Sequence, residues 1–210
     1  MGVNLIYEAV VNGDRTAVDT EVKKTITDGV APEVILNEGL IKAMGEVGRR
    51  FESGDFFVPE MLIAARAMKA GVAILRPHLI NAGVKPVGKV VIGTVAGDLH
   101  DIGKNLVGLM LEGAGFEVID LGTDVSNERF VEAVRKERPD LVGISALLTT
   151  TMSGMAEVVK ILKESNLKED LKVFIGGAPV TQTFAEQIGA DGYADDAASA
   201  SRKARELLNL

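Results

Sequence analysis

The stretch Val90-Val91-Ile92-Gly93-Thr94-Val95 runs directly into Ala96-Gly97-Asp98-Leu99-His100-Asp101-Ile102-Gly103-Lys104-Asn105, and its reading decides the fold. The first part is a short β-branched run, the last part opens an amphipathic helix, and a polar, glycine-containing loop lies between them. The same unit recurs downstream. Further strands are expected at Phe116–Leu121, Leu141–Ser145, Lys172–Ile175 and near Tyr193, with helices starting at about Ile102, Glu128, Ser153, Thr181 and Ala197. Strand-helix alternation of this length predicts an α/β unit built on a doubly wound, flavodoxin- or Rossmann-like sheet of five parallel strands. In such sheets ligands bind beyond the carboxyl ends of the strands, so the residues just after each strand are where chemistry is to be sought.

Upstream the grammar is helical. Asp14 caps a helix expected from Thr16 to Ile26, with Val18, Val22 and Ile26 on one face and Gly29 as its stop. Pro32 sits where a first-turn proline is tolerated, and Leu36, Leu40, Ile41, Met44 and Val47 then mark a buried stripe. The break falls at Phe51-Glu52-Ser53-Gly54-Asp55. Pro59 opens a further helix through Leu62, Ala65, Ala67, Met68, Leu75 and Leu79. With the apolar stretch before Asn12, this predicts a four-helix bundle over residues 1–83. Residues 84–88, Val-Lys-Pro-Val-Gly, read as a linker to the α/β domain at 89–210.

Composition narrows the function classes. The 210 residues include no cysteine, which excludes disulfides, thiolate-held zinc and iron–sulfur clusters. Net charge is −7, with no basic cluster and no Trp, so neither nucleic acid nor an anionic membrane is an expected partner. No apolar run is long enough to span a bilayer and no secretory leader is apparent at the amino end, so a cytoplasmic protein is expected.

Three readings compete for the loop after the first strand. A phosphate-cradling loop fails on spacing, and on Asn105 where a Ser or Thr would hold magnesium. An acidic pocket built from Asp98 and Asp101 wants an aspartate after the third strand, where Ser145-Ala146-Leu147 stands instead. The third takes Asp98-x-His100-x-x-Gly103 as a metal-ligand loop. There an aspartate accepts the proton of one ring nitrogen, which fixes the tautomer and makes the other nitrogen a better ligand. Gly103 would let the helix start pass close to a bulky ligand.

Asp98-x-His100-x-x-Gly103, then Ser145-Ala146-Leu147 about forty residues later, then Gly176-Gly177, together resemble the fingerprint of the cobalamin-binding modules of methyltransferases. Each piece directly follows an expected strand. The segment Phe51-Glu52-Ser53-Gly54-Asp55-Phe56-Phe57-Val58-Pro59 is similar to the four-helix cap preceding the corrinoid domain in methionine synthase and in stand-alone corrinoid proteins of one-carbon metabolism. The resemblance thus covers nearly the whole chain.

It implies a cobalamin cofactor held base-off/His-on, with His100 as the lower axial ligand to cobalt and Asp98 bonded to His100. Asp101 and Gly103 are expected beside them on the cofactor-binding loop. Thr151 is expected to supply the hydroxyl that a serine supplies in the family, with a more restricted rotamer. Ser145, Thr149 and Leu147 would meet the displaced nucleotide tail, and Gly176 and Gly177 would leave it room. Phe51, Phe57, Val58 and Met61 match the cap positions over the upper corrin face; His78 reads as structural or solvated.

The implied function is a non-catalytic methyl carrier that alternates between methylcobalamin and cob(I)alamin. The cap would swing aside on the segment Asn81–Gly88. The expected partners are a substrate methyltransferase, an acceptor methyltransferase of tetrahydrofolate or coenzyme M type, and a reductive activator. The alternatives are a cobalamin-dependent sensor, an adenosylcobalamin mutase subunit and a cofactor-free flavodoxin-like module. A sensor would add a basic helix-turn-helix, expected neither before Met1 nor after Leu210. A mutase would require a deoxyadenosyl group, and the cofactor-free module would not bind cobalamin.

Overall fold

A computed structural model describes residues 2–165 and 167–210. The chain divides into two compact units, one of residues up to Pro86 with Gly113–Gly115, the other of Val87–Glu112 with Phe116–Leu210.

The first unit is helical: α1 (Gly2–Val11), α2 (Arg15–Thr27), α3 (Pro32–Val34), a π-helical stretch Ile35–Ile41, α4 (Lys42–Glu52) and α5 (Val58–Asn81). Because α3, the π stretch and α4 are continuous, there are four rods, as the pattern predicts. Asp14 caps α2 by accepting the Ala17 N–H at 3.0 Å. Val18 and Val22 are buried as expected, but the next inward residue is Thr25, with Ile26 only half-buried.

The π-helical stretch is not foreseen by the sequence pattern. It widens the turn so that Lys42 N–H bonds the carbonyl of Asn37, five residues back. The inward positions then fall on Ile35 and Leu40, both fully buried, whereas the expected Leu36 is only half-buried. The α4 helix also runs through Phe51 and Glu52, so the break begins at Ser53. In that turn the Asp55 and Phe56 N–H groups donate to the Arg50 carbonyl, and the Arg50 guanidinium lies 5.1 Å from the Phe56 ring centre. Glu60 accepts the Phe57 N–H at 2.9 Å, which satisfies one of the donors a helix start leaves open.

The second unit alternates β1 (Lys89–Thr94), α6 (Ile102–Gly113), β2 (Glu117–Asp120), α7 (Asn127–Glu137), β3 (Leu141–Ser145), α8 (Met152–Glu164), β4 (Lys172–Gly176), α9 (Gln182–Ile188), β5 (Gly192–Ala194) and α10 (Ala197–Leu207). All neighbouring strands pair parallel, in the order β2-β1-β3-β4-β5. Val91, Val142, Ile144, Val173 and Ile175 are buried with Phe130, Val134 and Met155 in one core. Near-continuous apolar strands of this kind belong to a sheet covered by helices on both faces. No described helix is long and apolar enough to cross a membrane.

Strand order reverses between β1 and β3, since the chain leaves β1 toward β2 on one side and returns to β3 on the other. That is where a parallel sheet opens a crevice at its carboxyl edge. The last rung there pairs Thr94 with Ser145 and Ser145 with Gly176.

Candidate functional site

The crevice is built around one buried carboxylate. Asp98 is fully buried just beyond β1, and five donors converge on it. Its Oδ1 accepts the His100 backbone N–H at 3.1 Å and contacts the His100 ring Nδ1 at 2.7 Å. Its Oδ2 accepts the backbone N–H groups of Leu147 and Leu148 at 2.7 and 3.2 Å, and the Thr151 hydroxyl at 2.9 Å. The loop after β1 is thereby tied to the loop after β3. Burial by itself would raise the Asp98 carboxyl. The Leu147 N–H, the His100 ring and N–H, and the Thr151 hydroxyl outweigh it and hold the group well below the usual carboxylate range.

In the neutral imidazole, a proton on Nδ1 toward Asp98 leaves Nε2 with its lone pair. The His100 side chain is 51% exposed. Four apolar residues surround this region of the two loops and belong to no core: Leu99 (73% exposed), Ile102 (76%), Leu147 and Leu148. Exposed apolar side chains on neighbouring loops mark a surface meant to be covered.

The remaining residues singled out from the sequence are distributed as follows. Asp101 and Gly103 are exposed on the same loop and first turn of α6, where Asp101 accepts from the Asn105 side chain at 3.0 Å. Ser145 is half-buried at the end of β3, and Thr149 is exposed in the 3₁₀ turn Thr149–Thr151. Gly176 and Gly177 close β4, and the constraint on them is backbone approach. A Cβ on Gly177 would lie 1.9 Å from the Ala146 carbonyl oxygen, and one on Gly176 would lie 2.9 Å from that of Ala194. In the helical unit Phe57 and Val58 are exposed and Phe51 is half-buried, while Met61 is buried and offers no surface to a ligand. His78 is exposed on α5.

The chain has two family matches. Residues 88–202 match the B12 binding domain, and residues 3–76 match a second B12 binding domain model. The chain belongs to the B12-binding corrinoid protein family. Dimethylamine corrinoid protein 3 of Methanosarcina acetivorans is 45% identical over 203 residues, covering 97% of this chain and 95% of that protein. A cobalamin-binding protein of Desulfitobacterium hafniense superposes with a TM-score of 0.82 at 35% identity, over 98% of both chains. The methanol:cobalamin methyltransferase complex of Methanosarcina barkeri contains a chain that matches with a TM-score of 0.86 at 34% identity, over 99% of this chain and 80% of that one.

As a member of this corrinoid family, the chain binds cobalamin, and the crevice fits such a group. Among the described residues no cluster of three or more His, Cys, Asp or Glu could hold a metal ion. A metal at His100 must therefore bring its other ligands with it. A metal already held in a large, mostly apolar macrocycle meets that requirement and would also cover Leu99, Ile102, Leu147 and Leu148.

Sequence reasoning missed Leu148, whose N–H is the fifth donor to Asp98, and the exposed pair Leu99 and Ile102. Two apolar residues flanking a histidine in a loop were the available signal. It also missed Asp124, at φ 53°, whose carboxylate accepts the Gly97 N–H at 2.7 Å and braces the loop from the β2 side.

Asp98→Asn is expected to destabilise the second unit by about 2–3 kcal/mol in urea unfolding, because an amide nitrogen would then face donors that need an acceptor. An unchanged unfolding midpoint would show that the Asp98 cluster is not the tie between the two loops.

Proposed function

We propose that the chain is the methyl carrier of a one-carbon methyltransferase system, holding cobalamin base-off with His100 in place of the cofactor's own base. The observation that carries this reading is the His100 ring, held through Nδ1 by a buried carboxylate on a loop that also exposes Leu99 and Ile102. Cobalamin when bound would supply the cobalt that accepts and releases the methyl group.

The protein's part is ligation, orientation and exclusion of water. Asp98 holds the imidazole in the ligating tautomer, and Thr151 with the Leu147 and Leu148 N–H groups holds Asp98. Asp101 and Gly103 lie on the same loop. Leu147, Ser145 and Thr149 are proposed to meet the displaced nucleotide tail beside Gly176 and Gly177. Phe51, Phe57 and Val58 are proposed to shield the reactive face of the corrin.

On this reading the methyl group would be delivered by a substrate methyltransferase and removed by an acceptor methyltransferase of tetrahydrofolate or coenzyme M type. A reductive activator would restore an oxidised carrier. The relative in the methanol:cobalamin methyltransferase complex supports a methyltransferase partner. The dimethylamine corrinoid protein at 45% identity supports a methylated amine as donor. Loading the protein with hydroxocobalamin, reducing it and adding a dimethylamine methyltransferase with its substrate tests the reading. The expected result is stoichiometric methylation of the bound cofactor, seen in its absorption spectrum. A requirement for a deoxyadenosyl group would contradict it.

A further inference from the structure

Three polar groups of His100 are tied down, and the third tie comes from a residue outside the motif. The backbone N–H and the ring Nδ1 both go to Asp98 Oδ1, at 3.1 and 2.7 Å. The His100 carbonyl accepts a hydrogen bond from the Thr94 hydroxyl at 3.0 Å. Only Nε2 is left for a ligand.

Thr94 is suited to hold that carbonyl. It is the last residue of β1 and is fully buried. Its backbone is already spent: the N–H donates to the Gly122 carbonyl at 3.0 Å, and the carbonyl accepts from Val125 N–H at 2.9 Å. The hydroxyl is the group left over, and a buried hydroxyl without a partner is costly, so it stays on the His100 carbonyl. A β-branched side chain has few χ1 choices, which makes this tie stiff. Between Thr94 and His100 the chain leaves the sheet and turns back through Gly97 at φ 78°. The bond therefore closes that turn and fixes the carboxyl end of His100 against the strand.

We propose that Thr94 is a positioning residue for the metal ligand. By bonding the His100 carbonyl to the end of β1, its hydroxyl sets where the imidazole stands and how well Nε2 reaches cobalt. This rests on the reading of His100 as the cobalt ligand. Ligating groups must be held to within about half an ångström of their working geometry, and supporting contacts supply that precision.

The test compares Thr94→Val and Thr94→Ala, which lack the hydroxyl, with Thr94→Ser, which keeps it, and with His100→Ala. Alanine adds no apolar bulk, so it remains readable if valine is not accommodated. Each protein is titrated with hydroxocobalamin and reduced to the cobalt(II) form, and its paramagnetic spectrum is recorded for imidazole nitrogen coupling; apo-protein melting is followed in parallel. The serine variant is expected to match the parent. The two variants without the hydroxyl are expected to bind about 10-fold more weakly. They should also show a reduced fraction of histidine-coupled cobalt, a change that a merely structural role would not produce. Full coupling and parental affinity in both, with coupling lost in His100→Ala, would overturn the Thr94 assignment alone. Coupling retained in His100→Ala would overturn the ligand assignment and this inference with it.

Discussion

Replacing His100 with Ala is expected to weaken hydroxocobalamin binding by about 10- to 100-fold, the range seen when contacts supporting a metal ligand are lost. The stability of the apo-protein should fall by only about 1–2 kcal/mol, because one of the five donors to the buried Asp98 is lost while its Oδ1 still accepts the backbone N–H of residue 100. Urea unfolding and cofactor titration on the same preparation separate the two effects. A large loss of stability with unchanged affinity would mean that His100 braces the loop and leaves the metal to another group.

Gly177→Ala is expected to do the opposite, with stability falling first. Gly177 sits at φ 131°, where an L side chain is strained, and its added Cβ would lie 1.9 Å from the Ala146 oxygen and 2.9 Å from the Ala146 carbonyl carbon. The obstacle is backbone, so no side-chain rotation relieves it. Strain and forced displacement together are expected to cost about 3 kcal/mol or more. The segment that must yield is the one whose next two N–H groups hold Asp98, so cofactor affinity should fall with stability. Gly103→Ala is the contrast. A Cβ there meets nothing within 4 Å, so its melting temperature should match the parent while corrinoid binding weakens if the loop lies against the cofactor. A Gly177→Ala protein as stable as the parent would show that the β3 and β4 loops are free to part.

Most of the fold is legible in the sequence because its signals are local. The five strands and their helices follow from β-branched runs alternating with amphipathic stretches, and the observed boundaries lie within a residue or two of the expected ones. The four helical rods follow from Asp14, Pro32 and Pro59 as start signals. The π-helical stretch is not legible, because its extra residue per turn depends on how Ile35 and Leu40 pack, and a fixed helical period places Leu36 inside instead.

The site is legible where a motif residue acts through its own side chain, as Asp98, His100 and Thr151 do in their mutual contacts. It is not legible where a backbone group or an unremarkable residue acts. The Leu147 and Leu148 amides carry no sequence signature. Thr94 looks like one more β-branched strand residue, although it is the one hydroxyl in the run Val90–Val95. The two glycines were expected to leave a slot for a ligand, and the close approach of Ala146 and Ala194 comes from strand register, which no single segment encodes.

The central claim is that the His100 imidazole, and no base of the cofactor, occupies the lower face of the metal. Its most direct test is the paramagnetic spectrum of the cobalt(II) form bound to protein whose histidines carry nitrogen-15. Coupling to that label, seen as a doublet where unlabelled protein gives a triplet, and absent in His100→Ala, is the predicted result. A spectrum that is indifferent to the protein's isotope and retains the splitting of the cofactor's own base would contradict it.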